Sequence, residues 1–193
     1  EGQASWKRLK PHEFELATAG GDSVLKFTCV FSREDPTARA GNVAGFAGAD
    51  SLNQRTWRQF WLDGGAVDFS GSTDPRAAER ERRVVLSQYL TRIQSGGQYP
   101  PQETGLTYNS WYGKFHLEMY LWHEGQFALW NRAPLVERNL PWYETIAQRG
   151  RATAQKQGYK GIRWPKMTDP SGRESPSPIG PFLIWEEPHP IYM

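Results

Sequence analysis

The feature that most constrains the fold is the segment at 109–130, NSWYGKFHLEMYLWHEGQFALW. It has the length of a helix, but its crowded aromatic and apolar residues leave no clean polar face, so it predicts a helix buried nearly all round. Two histidines, His116 and His123, and two glutamates lie in it. Because a buried carboxylate needs a partner or a polar cavity, Glu118 either lines a ligand cleft or pairs with Lys114 at the surface, with both histidines in a partial core.

The N-terminal part predicts a β-hairpin. The runs 13–17 and 24–32 flank the turn sequence ATAGGDS, and the second run alternates apolar and polar residues, which is typical of a strand with one buried side. The following stretch, 33–50, is rich in Gly and Ala without a sustained period and is interpreted as a connector.

Three further helices are expected from their end signals. The first runs from Ser51 as N-cap to Leu62. The second has Asp74 as N-cap and Pro75 at the first helical position, and it stops at Gly96. The third spans 142–157, where Gly158 ends it, and the remainder of the chain predicts a long aromatic loop.

Composition excludes several classes. The 193 residues suffice for one domain or parts of two, and 23 basic against 21 acidic residues leave a formal charge of +2, too small for a nucleic-acid footprint. No apolar run approaches the roughly 18 residues of a membrane span. Cys29, the only cysteine, excludes an internal disulfide and a multi-thiolate metal site. The N-terminus has no initiator Met and no apolar leader segment, so the chain is expected to be cut from a longer protein.

The aromatic content points to one ligand class. The chain has 9 Trp, 8 Tyr and 9 Phe at a mean hydropathy of -0.70. Rings beside abundant polar groups suit a cleft for sugars, because a sugar stacks on a ring face while its hydroxyls form hydrogen bonds. An aromatic-rich core is the alternative. His116 and His123 have no HExxH arrangement, so neither a metal nor another cofactor is expected.

The C-terminal loop places aromatic residues beside carboxylates, as in Trp185-Glu186-Glu187. Glycoside cleavage uses rings as sugar platforms and a pair of carboxyl groups for acid and base or nucleophile. Acidic residues next to prolines also occur in ordinary surface loops, so the pattern alone leaves both interpretations open.

Three segments carry a resemblance to a known family: ETGLTYNSWYGKFHLEMYLW at 103–122, QGYKGIRWPKMTDPSGRESP at 157–176 and PHPIYM at 188–193. Their order and spacing resemble those of the six-hairpin glycosidases. These (α/α)6-barrel enzymes include the maltose and kojibiose phosphorylases and, more distantly, the inverting α-fucosidases. The resemblance covers nearly the whole chain but only part of the family's length.

Position by position, Phe115-His116-Leu117-Glu118 stands where the phosphorylases have Trp-Asp-x-Glu, so Glu118 matches and His116 replaces an acid. The run 161–165, GIRWP, matches a GYxGARYPW-like loop, Glu174 stands near its acidic element, and His189 matches a later histidine. These replacements favour an uncharacterised glycosidase of this architecture over a phosphorylase and leave the sugar open.

The resemblance implies the fold class: mainly α with a β-hairpin, as a fragment of a β-supersandwich, linker helices and the first helices of an (α/α)6 barrel. The expected domains are the end of the sandwich at 1–50, a helical linker at 51–75 and the first part of the catalytic barrel at 76–193. The expected partners are the remainder of the parent polypeptide and an oligosaccharide or polysaccharide substrate. Export to the periplasm or the medium is expected, and a cytoplasmic location stays open.

The implied activity is glycoside hydrolysis by acid-assisted attack of water with inversion, the general acid and base lying outside this chain. The chain then supplies one wall of the sugar subsite, and its expected substrate-binding residues are Tyr108, Trp111, His116, Glu118, Trp122, Arg163, Trp164, Glu174, Trp185, Glu187 and His189. Two alternatives stay open: a non-catalytic helical carbohydrate-binding or scaffold protein, and a purely structural helical domain with an aromatic core.

Overall fold

The computed structural model describes residues 4–18, 23–32, 35 and 43–193. It is mainly helical with a small antiparallel hairpin, which confirms the predicted coarse class. The chain divides into two compact units, Glu1–Phe60 and Trp61–Met193. The sandwich, linker and barrel assignments stay predictions. No helix within the described ranges is long and apolar enough to cross a membrane.

The hairpin pairs other strands than predicted. Strand β1 (Ala4–Lys10) pairs antiparallel with β2 (Glu13–Thr18). The predicted partner at 24–32 forms no strand, and the residues of both observed strands are almost all exposed, so the buried side was also wrong. The physical reason is the turn between the strands, where Pro11 is followed by His12 at φ 66. Proline and then a positive φ are typical of a type II turn, which closes β1 on β2.

Two long helices follow, and their starts differ from prediction. Helix α1 (Phe46–Asp63) includes Ser51 in its interior, because the Ala-containing end of the predicted connector also favours helix. Most of the connector at 33–42 lies outside the described residues. Helix α2 (Ala77–Ser95) begins after Arg76, since Asp74 holds a preceding turn: its side chain accepts the Arg76 N–H at 2.8 Å. Its predicted stop at Gly96 is confirmed.

The segment at 109–130 is not one helix, which corrects the central prediction. Trp111, Tyr112 and Gly113 all have positive φ, 48°, 61° and 64°, and a right-handed helix cannot include them. The segment is instead divided into short elements, several with exposed apolar residues: a 3-10 turn (Trp111–Gly113), β3 (Phe115–His116), a second 3-10 turn (Leu117–Met119), α3 (Tyr120–Glu124) and α4 (Gln126–Leu129).

The C-terminal part keeps its predicted helix and gains a strand. The helix α6 (Pro141–Lys156) matches the predicted one within a residue at either end, with Pro141 in its first turn. Beyond Gly158 the chain is mostly irregular, as predicted. The other elements are α5 (Pro134–Glu137), β4 (Met167–Thr168), a 3-10 turn (Gly180–Phe182) and α7 (His189–Tyr192).

A two-residue ladder joins the segment at 109–130 to the loop that follows Gly158. Phe115 pairs with Thr168 and His116 with Met167 in antiparallel β3 and β4. Further single bridges extend this pairing on either side, Gln102 with Phe115 and Thr168 with Glu174. Segments that are far apart in sequence are therefore held side by side by backbone hydrogen bonds.

An aromatic core supports this ladder from α6. Its rings meet edge to face, with centroids 5.0 Å apart between Tyr143 and Trp164. Backbone contact is equally close, because the Arg163 N–H donates to the Gly150 carbonyl at 3.1 Å. The buried members of the core are Leu117, Tyr120, Trp142, Tyr143, Ile146 and Trp164. Helix α6 therefore fixes where the 161–168 segment lies.

Candidate functional site

Glu118 lies at the centre of a polar cluster beside the β3–β4 ladder. Its Oε2 is 3.1 Å from His116 Nε2 and 3.3 Å from Lys166 Nζ, and its backbone N–H donates to the Lys166 carbonyl at 3.2 Å. Among the described residues no ion pair joins Glu118 to Lys114, so the predicted surface pair is wrong. Glu118 is partly exposed. It contacts His116 of β3 and Lys166, the residue before β4.

His116 connects Glu118 to a second carboxylate. It is 2% exposed, and its Nδ1 lies 3.1 Å from Glu103 Oε2 on the side opposite Glu118. Each imidazole nitrogen of His116 thus faces a carboxylate oxygen. The residues Glu103, His116, Glu118 and Lys166 form one continuous chain of side chains, with contacts of 3.1 to 3.3 Å.

Lys166 is covered by an indole. Its side chain is buried, and Nζ lies 4.6 Å from the ring centroid of Trp111, a cation–π contact. The left-handed backbone at Trp111 and Tyr112 sets the direction of that ring. Trp111 remains partly exposed, so one indole contacts the buried ammonium and also presents surface to solvent.

Arg163 is buried and forms an ion pair with the partly exposed Glu187. Arg163 Nη1 donates to Glu187 Oε1 at 2.7 Å, and Arg163 Nη2 donates to the Gly180 carbonyl at 3.1 Å. The Trp164 N–H donates to Glu187 Oε2 at 2.9 Å. Burial raises the pKa of Glu187, while the hydrogen bonds and charge from Trp164 and Arg163 oppose that rise. The pair fixes the 163–166 segment against the C-terminal loop.

Glu186 is a residue that the sequence-based site omitted. It is 1% exposed, and neither of its carboxylate oxygens has a hydrogen-bond partner among the described residues. Burial raises its pKa to about 7, the nearby charges of Glu187 and Glu118 add to the rise, and Arg163 opposes it. A carboxyl group that holds a proton near neutral pH is unusual outside functional sites. The sequence signal that could have identified Glu186 is its position in the run Trp-Glu-Glu-Pro, next to an aromatic residue and a second carboxylate.

Two indoles and His189 form an aromatic surface next to this cluster. His189 is buried, and its Nδ1 lies 3.1 Å from the Leu117 carbonyl, which fixes Nδ1 as the donor. The ring of Trp122 meets His189 edge to face at 5.9 Å and lies 6.1 Å from Trp185. Both tryptophans are more than half exposed, so their rings can stack on a ligand.

The other predicted site residues have different surroundings. Trp164 is buried in the core, so its ring is covered and its link to the cluster is the N–H that binds Glu187. Tyr108 is exposed, and its carbonyl accepts the Thr104 hydroxyl at 2.6 Å. Glu174 is exposed and bridges Thr168 through the backbone. Their assignment to substrate binding stays a prediction.

Sequence reasoning also omitted Glu103 and Lys166. Both lie inside the family-like segments, but neither is one of the positions that match the family's motif. Only the ladder, which pairs His116 with Met167, shows that Lys166 lies beside Glu118. In the parts of the chain that the structure describes, no group of three or more His, Cys, Asp or Glu side chains is arranged to hold a metal ion.

The chain was compared with protein-family models, with curated proteins and with solved structures. None of the three comparisons found a match. Any function for the site is therefore argued from the charges, rings and hydrogen bonds of its own residues.

Proposed function

We propose that this chain supplies one wall of a sugar-binding subsite in a glycoside hydrolase of the six-hairpin type. The observation that carries the proposal is the β3–β4 ladder, which sets Glu118 against Lys166 and His116. The ladder joins two of the three segments that carry the resemblance to the family, 103–122 and 157–176, and their contact supports treating them as one site.

The chemistry of the wall suits a hydroxylated ligand. Glu118 accepts hydrogen bonds, and sugar hydroxyls donate them. The partly exposed indoles of Trp111, Trp122 and Trp185 offer apolar faces on which a sugar ring can stack. Lys166 and His116 hold the carboxylate of Glu118 in one orientation while it remains partly exposed. Charged groups that are already in place lose little entropy when the ligand arrives.

Glu186 has a different role in this proposal. Its oxygens are buried, so it does not touch the sugar. Its proton instead limits the negative charge around Glu118, because three carboxyl groups, Glu118, Glu186 and Glu187, lie near one another. The general acid and base of the hydrolysis are proposed to lie in other parts of the parent polypeptide, and the substrate is an oligosaccharide or polysaccharide.

The test is the substitution Glu118→Gln in the full-length enzyme, with Glu118→Ala beside it. Both variants remove the charge that accepts hydrogen bonds from the sugar, so hydrolysis of an oligosaccharide panel should fall at least about 100-fold. Glu137→Gln, an exposed residue on α5, is the matched control and should keep wild-type turnover.

Two outcomes would contradict the proposal. Turnover of Glu118→Gln within about twofold of wild type would place the residue outside the subsite. Tight glycan binding by the full-length protein without any hydrolysis would favour a non-catalytic carbohydrate-binding protein. Circular dichroism of each variant shows whether the fold is kept.

A further inference from the structure

A groove lies on the side of His116 opposite Glu118. It has a volume of about 250 Å³ and is entirely within the Trp61–Met193 unit. The C-terminal half of α2 forms one wall, the turn at 102–105 forms another, and α3 and α4 contribute Trp122, His123 and Gln126. Glu103 belongs to this groove and also approaches His116, so one carboxylate links it to the Glu118 cluster.

Two buried polar atoms of the groove residues have no hydrogen-bond partner in the described structure. They are Gln102 Oε1 and His123 Nδ1. Buried polar groups are nearly always hydrogen-bonded, because an unpaired one loses its hydration without compensation. Two such atoms on the side chains of one groove therefore point to a ligand.

The groove is rigid where these atoms are held. Gln102 forms a backbone bridge with Phe115 of β3, and its Nε2 donates to the Gly105 carbonyl, so the turn is tied at both ends. Gln126 Nε2 donates to the Thr91 hydroxyl at 3.1 Å, which joins α4 to α2. A site whose walls are already fixed binds with little ordering cost.

The lining chemistry selects a neutral, hydroxylated ligand. The groove residues carry amides at Gln94, Gln102 and Gln126 and one carboxylate at Glu103, and they include no lysine or arginine to attract an anion. Burial lowers the pKa of His123, which favours the neutral imidazole with one donor and one acceptor. Trp122 is 56% exposed and adds a flat apolar face.

We propose that this groove is a second sugar subsite, which binds one neutral sugar ring next to the Glu118 site. The volume is below the roughly 300–1,000 Å³ of pockets for drug-sized ligands, so the occupant is about one ring. The class of ligand rests on the proposed function, whereas the location rests on the groove and its two unpaired atoms. Glu103 couples the two subsites through His116.

Saturation-transfer NMR of the full-length protein with the methyl glycosides of glucose, galactose, mannose and fucose tests the inference. His123→Phe keeps the ring and removes Nδ1, and Gln102→Leu removes Oε1. Each change should weaken glycoside binding about fivefold or more, which matches the loss of one hydrogen bond to a buried group. Gln148→Leu, on the exposed side of α6, is the matched control and should bind as wild type.

Stability separates binding from a merely structural role. His123→Phe removes an unpaired buried polar atom, so its urea midpoint should equal or exceed that of the wild type while binding falls. If His123→Phe and Gln102→Leu bind the glycosides as the wild type does, or if the wild type binds none of them, the groove is not a sugar subsite.

The two proposals fail separately. Loss of binding in Glu118→Gln, with unchanged binding in His123→Phe and Gln102→Leu, would support the Glu118 subsite and overturn the second one. Loss in His123→Phe and Gln102→Leu, with wild-type turnover of Glu118→Gln in the full-length enzyme, would keep the groove and overturn the Glu118 assignment.

Discussion

Burial changes the charge of two glutamates at the residue scale, although their surroundings differ. Glu186 lies among other carboxylates near Glu118. Glu124 is 0% exposed and lies in a neutral network: Asn139 Nδ2 donates to its Oε2, and the Tyr120 hydroxyl donates to Asn139 Oδ1. Burial raises the pKa of Glu124 to about 8, while the Asn139 hydrogen bond and the charge of Arg138 oppose the rise. The folded chain therefore holds Glu124 protonated at neutral pH.

The pH dependence of stability follows from Glu124. Its pKa in the folded chain exceeds the ordinary 4.5, so the folded state binds the proton more tightly than the unfolded chain does. That stabilisation is complete below the ordinary pKa and is lost as pH rises through about 8. Glu124→Gln has no carboxyl group to titrate, so it has no such loss. Between about pH 5 and about pH 9 the free energy of unfolding of the wild type should fall by a few kcal/mol relative to that of Glu124→Gln.

Urea unfolding of both proteins at the two pH values measures this difference. Glu137→Gln on the exposed face of α5 is the control and should follow the wild type. A constant difference in unfolding free energy between the wild type and Glu124→Gln across this range would show that Glu124 is ionised in the folded chain.

At the scale of elements, predictability depended on whether the signals were local. Helix α6 could be predicted because Pro141 starts it and Gly158 follows its end, and α2 because Gly96 stops it. The segment at 109–130 could not, because helical periodicity does not reveal the left-handed run at 111–113 or a pairing with distant Met167. For the same reason the sequence did not indicate that Lys166 lies beside Glu118, and the assignment of Glu118 to a sugar subsite stays a prediction.

Gly150 shows how closely α6 packs on the segment that carries the site. A Cβ at this position would lie 2.6 Å from Ile162 Cγ2 and 3.2 Å from the Trp164 ring. Gly150→Ala should therefore destabilise the fold by about 1–3 kcal/mol, although Ala is favoured over Gly inside a helix. Gly48→Ala in α1 is the matched control, because its nearest neighbour is 3.4 Å away and only the gain in helix propensity applies.

Thermal unfolding followed by circular dichroism compares the two variants. Gly150→Ala should melt at a lower temperature than the wild type, and Gly48→Ala should not. An increase in the melting temperature of Gly150→Ala would mean that the contact between α6 and 162–164 is looser than described.

The whole molecule consists of two units whose burial is unequal. The aromatic core of Leu117, Tyr120, Trp142, Tyr143, Ile146 and Trp164 lies in the Trp61–Met193 unit. In the other unit β1 and β2 have no buried residue. A two-stranded hairpin is marginal by itself. Its pairing was predicted wrongly, because the alternation at 24–32 favoured a strand there, whereas the turn at Pro11-His12 closes β1 on β2.

Hydrogen exchange followed by mass spectrometry should resolve the two units. Amides of β1 and β2 should exchange much faster than those of α6, because exposed hydrogen bonds open locally at little cost. The β3–β4 ladder, which is buried, should be protected with α6. Protection of the hairpin equal to that of α6 would contradict this expectation and would indicate that another surface covers it, for instance in a self-associated form.

The turn at Trp111–Gly113 is a place where a designed substitution could relieve backbone strain and keep the position of the Trp111 ring. Tyr112 has φ 61 and an exposed side chain, so its left-handed conformation gains little from packing. Asparagine tolerates that conformation better than tyrosine does. A redesigned chain with asparagine at this position would keep the indole of Trp111 over the ammonium of Lys166 and would carry less strain. The same turn is a poor place for random substitution. If its backbone relaxed to negative φ angles, the Trp111 ring would move and uncover the buried ammonium of Lys166.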